Sequence, residues 1–152
     1  MAPEVAILVG LQGSGKTSFY RRHLASTHDH VSKDLMPNVR RRDVRQLALV
    51  EEALAAGRSV AVDNTNPVRA DRAPLVAAAR ARGARVVAYL MLTPLRDALA
   101  RNRRRQGRAR VPDVAVYVVA KRLQIPTVGE GFDAVYEVTA EAGEFKVQPG
   151  LV

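Results

Sequence analysis

Eight residues near the start of the chain, Gly10 to Thr17, constrain its fold more than any other segment. They read GLQGSGKT and match the pattern G-x-x-x-x-G-K-[ST] at every fixed position. The apolar run Val5–Val9 precedes them, and a segment with a helical pattern, 16–25, follows them. An apolar strand, a glycine-rich turn and a helix in this order predict a phosphate-binding loop. The positive end of the helix attracts an anion, and the glycines let backbone N–H groups approach it closely.

Short apolar runs alternate with amphipathic segments along the rest of the chain. Strands are predicted at 4–9, 30–33, 59–62, 85–92 and 134–138. Helices are predicted at 16–25, at 38–56, at 68–82, from Thr93 as N-cap and Pro94 as first residue, and at 113–123. In the helix at 38–56, the apolar face is predicted to hold Val39, Val44, Leu47, Val50 and Leu54. This alternation is typical of βαβ units, so we expect an α/β fold with a mostly parallel sheet covered on both faces. Residues 139–152 carry no motif, and we expect them to pack on the sheet edge or to be partly disordered.

The composition fits one compact domain over 1–152 and excludes several kinds of site. The 152 residues are 47% hydrophobic and 26% charged, which is enough for a single core without disulfides. The chain has no cysteine, which excludes thiol catalysis, zinc ribbons and iron–sulfur clusters. Its apolar runs are far shorter than the ~20 residues of a membrane span, and Glu4 interrupts the start, where a signal peptide would be apolar. We therefore expect a cytoplasmic protein.

The charge of the chain is strongly positive and is concentrated in one segment. The formal net charge is +9, and six of the ten residues from Arg101 to Arg110 are arginine, with no carboxylate among them. Such a surplus indicates a polyanionic partner, either a nucleic acid or a phosphate-rich ligand.

The loop motif assigns specific roles in binding a nucleoside triphosphate and Mg²⁺. Lys16 is expected to reach the β- and γ-phosphates, and the Thr17 hydroxyl to bind Mg²⁺. Arg101 and Arg105 are four positions apart, which places both on one helix face and supplies positive charge for the transferred phosphoryl group. The other predicted nucleotide-binding residues are Gly10, Gly13, Ser14, Gly15 and Ser18.

Two aspartates follow predicted strands and are candidates for catalysis. In a parallel sheet the ligand lies beyond the carboxyl ends of the strands, so side chains there can converge on one cleft. Asp63 ends the third strand, where it is expected either to hold Mg²⁺ or its water shell, or to bond its own backbone in a turn. Asp34 follows the second strand and is the best-placed general base for an attacking hydroxyl.

Several segments together resemble one known family. They are the phosphate loop, Val31–Asp34, Val60–Pro67 with its DNTNP block, Arg101–Arg105, Val111–Pro112, Tyr117 and Phe132–Val135. Over about residues 5–138, the chain is similar to the 5′-hydroxyl kinase domain of the polynucleotide kinases. The resemblance implies a P-loop NTPase or kinase-type three-layer sandwich, with five strands in the order 2-3-1-4-5 and a helical arginine-rich lid at about 93–112.

The same resemblance implies an activity and a set of roles. It implies metal-dependent transfer of the γ-phosphate of ATP or another nucleoside triphosphate to a 5′-hydroxyl end of DNA or RNA. By position, Asp34 is the general base, Lys16 and Thr17 are the phosphate-loop pair, and Arg101 and Arg105 contact the nucleotide. Asp63, Asn64 and Thr65 line the cleft near the phosphates. The family's acceptor-binding arginine, three residues after the base, is replaced here by Pro37, and Arg40 or Arg41 is expected to take its place.

Two alternatives remain open from the residues. A kinase of a nucleoside, sugar or antibiotic would share the loop and the acidic base. The low content of aromatic residues, 5% of the chain, favours this alternative, because aromatic side chains form the stacking platforms that bind single strands. A nucleotide-switched regulatory protein would share the loop as well, but it has no need of a general base such as Asp34.

Overall fold

A computed structural model, which describes residues 2–150, contains one six-stranded sheet in the order β2-β3-β1-β4-β5-β6. The strands are β1 (Glu4–Val9), β2 (His28–Val31), β3 (Ser59–Asp63), β4 (Arg85–Met91), β5 (Ala134–Glu141) and β6 (Glu144–Pro149). The first five pair in parallel, which confirms the predicted order of strands, and β6 is antiparallel to β5.

Helices cover both faces of this sheet. They are α1 (Lys16–Phe19, continued by a π-helical turn, Tyr20–Leu24), α2 (Arg42–Ala55), α3 (Arg69–Ala81), α4 (Leu95–Arg104) and α5 (Asp113–Arg122). Short 3₁₀ turns lie at Lys33–Leu35, Gly107–Ala109 and Val128–Glu130. No helix within residues 2–150 has the length and apolar character that crossing a membrane requires.

The central strand β1 explains why the sequence forms three layers. Residues 5–9 are apolar and fully buried, and successive side chains point to opposite faces of the sheet. Val5 and Ile7 pack in the cluster that includes residues of α2 and α3, whereas Ala6 and Leu8 pack with Phe19 on the other face. Because β1 is covered on both sides, the loop that follows it is held on a rigid support.

The segment between β2 and α2 differs from the prediction. The strand ends at Val31, two residues early, because the Ser32 side chain accepts a hydrogen bond from the Asp34 N–H (3.2 Å) and turns the chain. The helix begins at Arg42 instead of residue 38, since Arg41 has a left-handed backbone (φ 52°) that a helix cannot contain.

The apolar face predicted for this helix is wrong at two positions. Val39 lies before the helix and is 41% exposed, and Val44 is 63% exposed. Val50 and Leu54 are buried as predicted, Leu47 packs partly buried against the core, and Gln46 is buried as well. Gln46 is polar, so a hydrophobic pattern could not have found the buried face there.

The carboxyl-terminal hairpin adds a strand that the sequence analysis does not predict. β5 continues to Glu141 instead of residue 138, and a turn with positive φ at Ala142 (50°) and Gly143 (81°) leads into β6. All of β6 is exposed except Phe145, which is half-buried. The strand therefore has no apolar run from which it could be predicted. The described part of 139–152 therefore contains the end of β5, the turn and the edge strand β6.

The start of α4 also corrects a prediction. Pro94, not Thr93, is the N-cap residue, and no side chain caps the helix. The Thr93 hydroxyl instead donates a hydrogen bond to the carbonyl of Ser14 (2.7 Å). This contact ties the beginning of α4 to the phosphate loop.

Candidate active site

The phosphate loop joins β1 to α1 and is held by backbone contacts on both sides. The Gly10 N–H donates to the Thr65 carbonyl (3.1 Å), which fixes the loop to the end of β3. Gly13 has a φ of 79°, and a Cβ there would lie 2.4 Å from the carbonyl oxygen of Ala98 in α4. Only glycine fits this position, because any side chain would clash with the backbone of α4.

Lys16 lies inside the loop with 8% of its surface exposed. Its ammonium group donates to the carbonyls of Gly10 (3.0 Å) and Leu11 (2.7 Å). The hydroxyl of buried Ser14 is 3.5 Å away. Burial lowers the pKa of Lys16 from its ordinary value of 10.5 to about 8, although the nearby Asp63 carboxylate favours the charged form. The loop thus holds a desolvated cation whose charge depends on what surrounds it.

Asp63, Thr17 and His30 form a hydrogen-bonded cluster next to Lys16. The Thr17 hydroxyl and the His30 Nε2 contact the same oxygen of Asp63, Oδ2, at 2.7 Å and 2.8 Å. Burial by itself would raise the pKa of Asp63, but the hydrogen bonds from His30 and Thr17 outweigh it, and the pKa is lowered. A hydroxyl and an ionised carboxylate are oxygen ligands of the kind that Mg²⁺ prefers, so Thr17 and Asp63 fit that ion.

His30 has no role in the sequence-based assignment. Its ring stacks on Tyr20 with centroids 4.2 Å apart, and this packing orients Nε2 toward Asp63. The only local signal is its place one residue before the end of β2, at the same sheet edge as the loop.

The predicted base, Asp34, lies in the 3₁₀ turn after β2, and its side chain is exposed. Its carboxylate is near enough to Lys16 to favour the charged ammonium. The preceding N–H, of Lys33, donates to Oδ1 of Asn64 (2.9 Å), and the Asn64 amide donates to Oε1 of Gln46 (2.5 Å). Asn64 therefore holds the turn that carries Asp34 against the end of β3.

A cleft of about 560 Å³ opens beside the loop and is lined by Arg101, Arg105 and Arg22. Arg101 and Arg105 do not share a helix face as predicted, because α4 ends at Arg104 and Arg105 has an extended backbone (ψ 154°). Both nevertheless reach the same cleft. Arg22 is a residue that the sequence analysis missed, and its guanidinium lies 5.6 Å from the ring centroid of Phe145 in β6. The predicted loop residues on this cleft are Gly13, Gly15 and Ser18.

The segment 93–112, which is predicted to be a lid, is anchored by a residue that the sequence analysis also missed. Asn102 is fully buried, and its side-chain amide exchanges two hydrogen bonds with the backbone of Val111 (2.7 and 3.0 Å). Arg103 pairs with Asp113 (2.8 Å) and so links α4 to α5 at the surface. The loop carrying Arg105 starts and ends at these anchors.

A second buried polar network supports the loop after β3. Asn66 donates from Nδ2 to the Leu8 carbonyl (2.8 Å), and the backbone carbonyl of Asn66 accepts from Arg72 (2.9 Å). Arg72 is fully buried and makes a bidentate ion pair with Glu130 (2.9 Å for both contacts). Thr127 and Glu130 form a capping box, a T-x-x-E pattern that could have marked this turn in the sequence.

Arg40 and Arg41 are not brought into the cluster. Both side chains are exposed in the turn before α2, and within residues 2–150 neither makes a side-chain hydrogen bond or ion pair. Two further exposed arginines, Arg42 and Arg45, follow at the start of α2. Together they form a basic segment, 40–45, that begins six residues after Asp34.

Comparison with known proteins identifies the family. A model of the AAA domain matches residues 5–125. A bifunctional polynucleotide phosphatase/kinase of Acanthamoeba polyphaga mimivirus is 30% identical over 145 residues, which are 90% of this chain and 33% of that protein. The protein of the same name from Schizosaccharomyces pombe is 26% identical over 148 residues, with 89% and 33% coverage. The chain thus spans about one third of the length of these relatives.

Solved structures share the fold at low sequence identity. Kti12 of Chaetomium thermophilum, in complex with ADP-AlF3, has a TM-score of 0.72, 17% identity, and coverage of 89% of this chain and 88% of that one. A fungal RNA kinase has a TM-score of 0.65, 13% identity and 91% and 38% coverage. A gluconokinase of Sinorhizobium meliloti has a TM-score of 0.62, 20% identity and 91% and 83% coverage. The fold is that of the P-loop kinases, the curated relatives confirm the resemblance to polynucleotide kinases, and the chain belongs to the AAA domain family.

Proposed function

We propose that this chain transfers the γ-phosphate of ATP or another nucleoside triphosphate to a 5′-hydroxyl end of DNA or RNA. One observation carries the proposal. The exposed carboxylate of Asp34 lies at the same sheet edge as the phosphate loop, six residues before the start of the basic segment 40–45. A carboxylate there can accept a hydroxyl proton, and the arginines can hold the phosphates of a strand.

The donor is held by the loop and the arginine-lined cleft. Thr17 and Asp63 are the residues that would hold Mg²⁺, which when bound neutralises charge on the β- and γ-phosphates. Lys16 gives up its contacts to the loop carbonyls and pairs with the phosphate oxygens. Arg101 and Arg105 supply further positive charge, which stabilises the negative charge spread over the transferred group.

The acceptor reacts on the side of Asp34. The 5′-hydroxyl gives its proton to a carboxylate oxygen of Asp34 while its oxygen forms a bond to the γ-phosphorus. The bond between the γ-phosphorus and the bridging oxygen breaks, and the nucleoside diphosphate leaves with that electron pair. Asn64 takes no part in the transfer itself; it positions Asp34 by holding the backbone of Lys33 in place.

The relatives support this assignment over the alternatives. Both curated relatives are named as bifunctional polynucleotide phosphatase/kinases, and their similarity extends over about 90% of this chain. A small-molecule kinase would share the donor site, as the fold of the gluconokinase illustrates. A nucleotide-switched regulatory protein would have no need of a general base such as the exposed Asp34.

Nucleotide binding is expected to take up a proton above pH 8. The pKa of Lys16 is about 8 without nucleotide, and the negative phosphates raise it, so a neutral Lys16 is protonated as the nucleotide binds. Affinity for the nucleoside triphosphate should therefore fall as the pH rises from 8 to 10. Calorimetry at pH 9 in buffers of different ionisation enthalpy measures the uptake. Lys16→Arg, which stays charged, should show none of it; equal uptake in both proteins would contradict the assignment.

The basic segment is expected to make acceptor binding depend on salt. For an oligonucleotide with a free 5′-hydroxyl, the log–log slope of affinity against salt should be about −0.7 for each phosphate contacted. Arg40→Ala or Arg41→Ala should reduce that slope, raise the acceptor KM and leave the donor KM unchanged. Arg82→Ala, an exposed arginine at the end of α3, is the control of equal charge.

The acceptor panel separates the proposal from its alternatives. Oligonucleotides, nucleosides and sugars are incubated with labelled ATP and Mg²⁺. Phosphorylation of sugars or nucleosides with no salt slope would instead favour a small-molecule kinase. The absence of any phosphorylated acceptor, with nucleotide binding intact, would favour a regulatory switch.

A further inference from the structure

A second cavity lies between the first turns of α2 and α3, and none of the roles described above uses it. Its volume is about 260 Å³. The helix α2 follows β2, and α3 follows β3. The carboxyl ends of these two strands lie at the sheet edge that carries the phosphate loop and Asp34, so the cavity opens at that edge. Its apolar walls come from Val44, Leu47, Pro74 and Leu75.

Two buried amides give this cavity a polar end. Gln46 and Asn66 line it, and each is 5% exposed. Oε1 of Gln46 accepts from Asn64, and Nδ2 of Asn66 donates to the Leu8 carbonyl. Within residues 2–150, the Nε2 of Gln46 donates to no acceptor and the Oδ1 of Asn66 accepts from no donor. The two amide side chains that line the cavity therefore retain one unused donor and one unused acceptor.

The charges around the cavity select against an anionic ligand. Asp43 and Asp71 both line it, and the single cation, Lys33, pairs with Asp43. A phosphate group would be repelled by these carboxylates. A neutral, flat ligand with apolar faces and a polar edge satisfies the walls and both amides.

The cavity is also connected to the proposed base. Lys33 borders it and precedes Asp34, and the Lys33 N–H, Asn64 and Gln46 form a continuous chain of hydrogen bonds into it. Its volume lies below the ~300–1,000 Å³ of pockets for drug-sized ligands, so it suits one ring system and not a strand.

We propose that this cavity binds the base of the acceptor's 5′-terminal nucleoside, an inference that rests on the proposed function. The base packs between the apolar walls of α2 and α3, and its polar edge bonds to Gln46 and Asn66. The sugar then presents its 5′-hydroxyl toward Asp34, and the phosphate on its 3′ side leaves toward the basic segment 40–45. This arrangement recognises a terminal nucleoside without an aromatic platform.

A terminal abasic site tests the inference directly. Three oligonucleotides with a free 5′-hydroxyl are compared: one intact, one abasic at the first residue and one abasic at the third. The acceptor KM should rise about tenfold for the first lesion, because the buried base is lost, and stay unchanged for the other. Equal KM values for all three, with normal phosphorylation, would overturn the base pocket and leave the kinase assignment standing.

A pair of variants assigns the effect to this cavity. Ala70 lines the cavity at the start of α3, and Ala73 is exposed on the same helix outside it. Ala70→Leu should fill the space, so that the intact and the terminally abasic oligonucleotide have the same KM. Ala73→Leu should keep the tenfold difference. A difference retained in Ala70→Leu, with unchanged thermal unfolding, would overturn the inference.

A binding measurement makes the test independent of turnover. Ligand-observed NMR with a nucleoside 3′-phosphate should show saturation transfer from the protein to the base protons in the wild type and in Ala73→Leu. The transfer should be much weaker in Ala70→Leu. If the base binds in this pattern while no 5′-hydroxyl is phosphorylated, the proposed function fails and the pocket stands. If the base does not bind to the wild type, the pocket is refuted.

Discussion

Lys16→Ala is expected to lower the rate of phosphoryl transfer by about 10²-fold or more, equivalent to about 2.7 kcal/mol or more in the transition state. In the proposed function, this variant loses the cation that stabilises the transferred group. It should fold normally, because a buried ammonium with a lowered pKa contributes little to stability in its charged form. Steady-state phosphorylation of an oligonucleotide and thermal unfolding measure the two effects.

The control for this variant is another lysine. Lys121→Ala removes the same charge from the exposed surface of α5 and should leave the rate unchanged. A folded Lys16→Ala protein with full activity would refute the phosphate-loop assignment.

Asp34→Asn is expected to lower turnover by about 10²-fold or more while the affinity for the nucleotide changes little. The amide keeps the shape of the side chain but cannot accept the hydroxyl proton. Because Asp34 is exposed and lies outside the phosphate loop, its replacement should not disturb that loop. Single-turnover rates and nucleotide titrations separate the two quantities.

Two further aspartates serve as references for that variant. Asp29→Asn changes an exposed carboxylate on β2, paired with Arg58, and should be silent. Asp63→Asn should shift the Mg²⁺ dependence of nucleotide binding, because Asp63 lies against Thr17. If Asp34→Asn weakens binding of the Mg²⁺–nucleotide complex and leaves turnover of bound substrate intact, the two roles are reversed.

The parts of the fold that repeat locally were predictable from the sequence. A buried strand and an amphipathic helix have periods of about 2 and 3.6 residues, so β1, β3 and α3 lie within one residue of their predicted bounds. The phosphate loop is a single stretch of eight residues, and its strand and helix are where the motif predicts them. The sequence also indicated Asp34 and Asp63, since each follows a predicted strand, whereas Asn64 was implied only by the resemblance to polynucleotide kinases.

Contacts between distant segments were decided only by the tertiary structure. His30 and Asp63 are 33 residues apart, and Arg22 and Gly143 are 121 apart, yet each pair is hydrogen-bonded. No local pattern encodes such pairs, because they depend on which strands are neighbours in the sheet. The edge strand β6 likewise escapes prediction, since it buries almost none of its own surface.

The buried polar residues show the physical reason for this division. Hydrophobic periodicity predicts which apolar residues are buried. Gln46, Arg72 and Asn102 are polar, and they are buried because each forms hydrogen bonds with other elements. A buried polar group is stable only when its hydrogen bonds are satisfied. Its partners come from other elements, so its burial is determined when those elements pack together. The sequence alone determined the loop and the order of the elements, and packing determined the polar networks that position the site.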